Sequence, residues 1–164
     1  MRTYIRSEIE AEILNVARRE NIPAPLLMRL CQVESDLLPW QVRYEPEYRW
    51  IARDWLTKSF HNEATELILQ KCSWGLTQIM GSTARDAGFS GCLPNLVEPE
   101  LNLTIACKLL GGLKASDRGN GTWRFALAAW NAGLGGLVDR PERLTSGYIV
   151  QYEGTLAALG EGAE

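Results

Sequence analysis

Apolar residues recur every three to four positions along most of this chain, and proline or glycine interrupts the pattern at short intervals. Ile5, Ile9, Ile13 and Val16 fall on one face of a first helix, with Ser7 or a neighbour as its cap and "NIPAP" as its stop. A second stripe, Leu26, Leu30 and Val33, begins near Pro25, a residue suited to a first helical turn, and Leu38-Pro39 closes it. Helices are also expected over "EYRWIARDWLTKSF", over "EATELILQKC", and over "EPELNLTIACKLLGGLKAS", where Leu103, Ala106, Leu110 and Leu113 align. "TWRFALAAWNAG" is apolar almost all round, so it belongs inside the fold, and Gly133 stops it. "SWGLTQIMGSTARDAGF" reads as two short helices broken at Gly81, the second ended by Gly88. A last helix is expected over about 146–159, after which "GEGAE" should fray. Residues 40–48, mixed and proline-marked, read as loop or short strand, and "DRGNG" reads as a turn. With no repeat or linker, the 164 residues describe one mainly α domain, residues 1–164, with at most a small β element.

The formal charge of -3 gives no reason to expect a phosphate-binding surface, so no nucleic-acid partner is expected. No apolar run is long enough to span a bilayer, and Glu8, Glu10 and Glu12 interrupt the stretch where a signal peptide needs an apolar core. Synthesis in the cytoplasm follows as an expectation, with any role outside depending on another exit. Cys31, Cys72, Cys92 and Cys107 show no CxxC pair, and His61 is the single histidine. A zinc site is therefore not expected, nor any other cofactor, and the cysteines read as free buried thiols. His61, beside "NEATE" at a helix start, reads as a surface residue. The glycines of "NAGLGG" and "GGLK" follow no strand, so they fail the context a nucleotide-binding loop requires. Six tryptophans suit either core filling or a groove whose flat walls stack on flat ligands.

One carboxylate stands out. Glu34 lies four residues after Leu30 and extends the apolar face of the second helix, just before the aromatic stretch "PWQVRYEP". It is either a helix-end glutamate paired with Arg29, Arg43 or Arg49, or a general acid. Apolar surroundings disfavour the charged carboxylate and raise its pKa, which lets the group donate a proton near neutral pH.

The order of motifs bears on the choice. Glu34-Ser35 at a helix end is followed by "SxGLxQ" (Ser73, Gly75, Leu76, Gln78) and then by "AxNAG" (Ala129, Asn131, Ala132, Gly133). Between them "EPELN" places Pro99 and Asn102 before a long helix. Each motif is weak alone, but in this order, over about Leu27 to Tyr152, the chain resembles the soluble lytic transglycosylases, relatives of goose-type lysozyme. "PWQVRYEP" resembles phage-encoded members in particular.

The resemblance implies a lysozyme-like, mostly helical fold with a sugar-binding cleft, and peptidoglycan glycan strands as the partner of a monomer. It makes Glu34 the catalytic acid and base for a non-hydrolytic cut between N-acetylmuramic acid and N-acetylglucosamine. Ser73 and Gln78 carry over as polar groups of the cleft; taken alone they read as a helix cap and a solvated amide. Asn131 holds cleft or ligand, or simply ends its helix before Gly133. Tyr148 aligns with a tyrosine following the family's last loop. It implies a role in a phage, either after holin-type release or as a virion component.

Two positions depart from the family. Thr77 stands for the methionine of "GLMQ", which reads as a packing change beside the cleft. Trp130 replaces a tyrosine whose hydroxyl the family places near the catalytic group. Indole donates one hydrogen bond and accepts none, so Tyr148 or Tyr44 must supply the contact, or Trp130 serves as a stacking wall. Asp36, Glu45 and Asp54 are the carboxylates nearest to Glu34 in sequence. Glu45 is the best placed for the cleft, although an ion pair with Arg43 or Arg49 is the favoured reading. If one of the three activates water, the enzyme is a muramidase on the same fold; a wall-binding virion module without turnover is the rival from another class.

Overall fold

The structure, a computed structural model, describes residues 4–118, 121–138 and 140–161. The expected helical stripes form its main core. Helix α1 (Arg6–Arg19) buries Ile9, Ile13, Val16 and Ala17, and α2 (Ala24–Ser35) buries Leu26, Leu27, Leu30 and Cys31. The long α5 (Pro99–Ala115) packs against α1 and α6 (Trp123–Ala132), and Leu103, Ala106 and Leu110 face inward as the stripe requires. Leu26, Leu27 and Leu30 are completely buried, and each such side chain contributes roughly 1.5–3 kcal/mol. Helix α1 is capped at Ile5 rather than at Ser7, and there the Glu8 carboxylate accepts the Ile5 N–H at 3.1 Å. Helix α2 ends before Leu38-Pro39, because Asp36 and Leu37 turn left-handed at φ 51° and 64°.

Three segments depart from the helical reading. The stretch "EYRWIARDWLTKSF" holds only a 3₁₀ turn, Arg53–Trp55, and leaves Trp50 and Phe60 exposed. Its backbone is claimed elsewhere: the Gln70 side chain, from α3 (Glu63–Gln70), accepts from Ala52 N–H and donates to Ala52 O. "SWGLTQIM" is a hairpin, not a helix. Strand β2 (Cys72–Trp74) pairs antiparallel with β3 (Ile79–Met80) and with β1 (Val42–Tyr44), giving the sheet order β1-β2-β3. Gly81 begins α4 (Gly81–Asp86) instead of breaking a helix; a Cβ there would lie 2.4 Å from the Leu69 carbonyl oxygen.

The third departure is the C-terminal region. It contains α7 (Leu134–Val138), a 3₁₀ turn (Pro141–Thr145), α8 (Gly147–Val150) and α9 (Glu153–Ala158), in place of one helix over 146–159. Arg29 of α2 donates to the Gln151 carbonyl at 2.9 Å, at the junction between α8 and α9. Nor does the described part of "GEGAE" fray. The Glu161 carboxylate accepts Trp123 N–H at 2.8 Å and Arg124 N–H at 2.9 Å, capping α6; residues 162–164 lie outside the described ones.

A second, smaller core of Cys72, Trp74, Ile79, Ala84, Leu93 and Leu96 lies under the sheet, and Trp130 packs against both cores. Cys31, Cys72 and Cys107 are buried free thiols, and Cys92 is a half-buried one. His61 is half-buried too, not a surface residue, with its Nε2 3.3 Å from Cys92 Sγ. Among the described residues, no helix is long and apolar enough to cross a membrane.

Candidate active site

Glu34 is the next-to-last residue of α2, one turn beyond the fully buried Leu30, and is itself half-buried. Among the described residues it makes no hydrogen bond or ion pair with Arg29, Arg43 or Arg49. Arg29 is directed at the Gln151 carbonyl and Gln32, while Arg43 is bridged to Glu45. Instead the Tyr148 hydroxyl of α8 donates to Glu34 Oε1 at 2.6 Å, across 114 residues of sequence. Tyr152, at the start of α9, donates in turn to the Tyr148 oxygen at 2.9 Å, with the rings 5.2 Å apart. Burial raises the Glu34 pKa above the ordinary glutamate value; the Tyr148 bond and the Arg43 charge pull it back only in part. Burial also pushes the Tyr148 hydroxyl far up, so it stays a donor. A half-buried carboxyl with a raised pKa and one oxygen already engaged can present a proton from the other.

The floor beside Glu34 is the turn between β2 and β3. The Ser35 hydroxyl lies 2.8 Å from Leu76 O and 3.0 Å from Cys31 O, so the residue after Glu34 fastens the helix end to this turn. Gly75, at φ +68°, admits no side chain: a Cβ would sit 2.5 Å from Leu96 O and 2.6 Å from Asn102 Nδ2. Asn102 is fully buried under the turn, and its side-chain amide is itself completely bonded. Its Oδ1 accepts from Thr77 N–H at 3.0 Å and the Thr77 hydroxyl at 2.8 Å; its Nδ2 donates to Trp74 O and Leu96 O, both at 2.9 Å. Thr77 is thus more than a packing substitute for methionine, because its hydroxyl joins this network. Asn102→Ala should cost about 3 kcal/mol or more, since it strands buried groups worth ~1–3 kcal/mol each. Urea unfolding measures this; a loss below ~1 kcal/mol would mean the turn is held otherwise.

The remaining expected residues fall into three groups. Ser73 and Gln78 are buried and bonded to each other: Ser73 donates to Gln78 Oε1 at 2.8 Å. The Gln78 amide donates both protons, to Gly75 O at 2.9 Å and Gln41 O at 3.2 Å, tying the turn to the entry of β1. The Gln78 amide is therefore not the solvated one that its bare sequence suggests, and Ser73 caps no helix. Trp130 is half-buried between the two cores and Asn131 is exposed at the end of α6. Tyr44, on β1, is half-exposed and makes no hydrogen bond to Glu34 among the described residues; Glu45 pairs with Arg43. Sequence reasoning missed Tyr152, whose only signal was its four-residue spacing from Tyr148.

No curated protein and no solved structure matches the chain. A family model described as the transglycosylase SLT domain matches residues 12–145, a span that takes in Glu34, the Ser73–Gln78 turn, Asn102 and the Trp130-Asn131 helix end but stops short of Tyr148 and Tyr152. With most of its length in that match, and a mainly helical fold carrying a small three-stranded sheet beside the helix-end glutamate, the chain belongs to the transglycosylase SLT domain family.

Proposed function

We propose that the protein is a peptidoglycan lytic transglycosylase in which Glu34 acts first as acid and then as base. The observation that carries this reading is that, among the described residues, Glu34 is the one carboxyl whose pKa is raised, and no second carboxyl stands beside it. Asp36 is exposed beside Arg6 at 3.8 Å, Asp54 is exposed beside Lys58 at 3.8 Å, and Glu45 is bridged to Arg43. None of the three is a partner of Glu34. A two-carboxylate glycosidase needs a second acid to activate water or to form a covalent intermediate. A transglycosylase does not, because its nucleophile is on the substrate.

In this mechanism Tyr148 occupies Oε1, so the acid proton resides on Oε2, which no described residue hydrogen-bonds. Glu34 gives that proton to the oxygen bridging N-acetylmuramic acid and N-acetylglucosamine, and the glycosidic bond breaks. The carboxylate then takes the proton from the muramic acid 6-hydroxyl as this oxygen attacks its own anomeric carbon. The product is a 1,6-anhydro ring, with Glu34 reprotonated and no water consumed. Tyr148 supplies the hydroxyl that Trp130 cannot, and Trp130 serves as packing and wall. The protein works as a monomer on glycan strands; its resemblance to phage-encoded relatives supports a setting in phage lysis or in a virion.

The mass of the soluble muropeptides released from purified peptidoglycan tests this reading. Anhydro products are expected, lighter by one water than hydrolytic ones and resistant to borohydride. Reducible, hydrated products would instead make the enzyme a muramidase, and wall binding without release would leave a non-catalytic module.

A further inference from the structure

We infer that Tyr152 is a positioning residue whose buried phenol forces the Tyr148 hydroxyl to donate to Glu34, so that the proton of the acid faces the substrate. The inference rests on the reading of Glu34 as the acid. Its basis is a proton count. The chain of three oxygens, Tyr152 to Tyr148 at 2.9 Å and Tyr148 to Glu34 Oε1 at 2.6 Å, can be ordered in two directions. In one, both phenols point toward Glu34. In the other, protonated Glu34 donates to Tyr148, which turns its own proton toward Tyr152, and the catalytic proton is aimed into the protein.

Tyr152 decides between them. It is fully buried, and among the described residues the only acceptor within reach of its hydroxyl is the Tyr148 oxygen. A phenol has one proton, and leaving it buried without an acceptor is costly. The Tyr152 proton therefore goes to Tyr148, and the Tyr148 proton must go outward to Oε1. That order excludes the Glu34 proton from Oε1 and leaves it on Oε2. Donation into the Tyr148 oxygen also makes Tyr148 a stronger donor, which stabilises the Glu34 carboxylate. The other charged or titratable groups facing this chain are Arg29 and Cys31 of α2, beside Tyr152, and Arg43 of β1, beside Glu34. Burial pushes the Cys31 thiol far up, so it stays protonated beside the chain.

The test is the pH profile of turnover on soluble glycan fragments. Tyr152→Phe removes the donor and keeps the ring. Turnover should fall about threefold to tenfold, the worth of one hydrogen bond, with KM unchanged. The alkaline limb, set by loss of the Glu34 proton, should move up by about 0.5 pH unit as the carboxylate loses support. Tyr148→Phe should move it the same way, and adding Tyr152→Phe to that variant should change nothing more, because Tyr152 acts through Tyr148. Site-specific 3-fluorotyrosine at position 152, a stronger donor of similar shape, should shift the limb down instead, which keeps the test sound if the phenylalanine variant folds poorly. An unmoved limb in both variants, or additive effects in the double variant, would overturn the inference and leave Tyr152 as core filling. Failure of the underlying reading would show separately, as activity retained without the Glu34 carboxyl.

Discussion

Glu34→Gln is expected to abolish wall clearing while leaving the protein at least as stable at neutral pH. Glutamine keeps the shape and can still accept from Tyr148, but it has no transferable proton, and general acid–base catalysis is typically worth ~10²–10⁴-fold. The stability half follows from the sign of the pKa shift. Burial raises the Glu34 pKa in the folded state, so between the ordinary glutamate value and the raised one the folded protein holds more protons than the unfolded chain. Stability therefore falls as pH rises through that window, and the charged carboxylate remains a liability above it. Glutamine removes the liability. Turbidity clearance of peptidoglycan and thermal unfolding at pH 4 and 7 measure both halves. Near-normal clearing by a folded variant would remove Glu34 from the chemistry, and a neutral-pH stability loss would contradict the account of its tuning.

The second large effect lies away from the site, where Arg85 and Glu66 form a completely buried pair. Arg85 binds both Glu66 oxygens, at 2.8 and 3.1 Å, and donates to Phe89 O and Gly91 O at 2.7 Å, while its guanidinium lies 4.6 Å over the Trp55 ring. This cluster pins the irregular 48–60 stretch to α3 and α4. Glu66→Gln leaves the arginine charge buried and uncompensated, a change that costs about 3–5 kcal/mol in comparable settings. Burial pushes the Glu66 carboxyl up, but the Arg85 and Gln70 hydrogen bonds outweigh it and hold the pKa below the ordinary value. The stabilisation is therefore full above the ordinary carboxylate value and lost as pH falls through the depressed one. Chemical denaturation from pH 7 down to pH 3 should show a steep acid loss in the wild type and a weaker protein with a flatter profile in Glu66→Gln. Equal stability of the two at pH 7 would mean that the pair contributes nothing net.

The division between local and distant information is clear in particular elements. Helices α1, α2, α3, α5 and α6 could be read directly, because a helix writes its buried face into spacings of three and four residues. The same periodicity put Glu34 at the end of an apolar stripe, and the order of Glu34-Ser35, the Ser73–Gln78 motif, Asn102 and Asn131 carried the resemblance to the family whose model matches residues 12–145. The β2–β3 hairpin could not be read, since strands of three and two residues hold no period and its turn is held by side chains distant in sequence, Ser35 and the buried Asn102. The 48–60 stretch has helical spacing, yet the Gln70 amide and the buried Arg85 cluster, both distant in sequence, outweighed local propensity. Tyr148 reaches Glu34, and Tyr152 reaches Tyr148, only because the short α8 and α9 fold back against α2, where Arg29 donates to the Gln151 carbonyl. The sequence by itself determined which residues are apolar, where the long helices run and which carboxylate extends their stripe. Only the tertiary structure decided what surrounds that carboxylate, because desolvation and hydrogen bonding depend on the atoms brought against it, and the nearest of these come from 114 residues away.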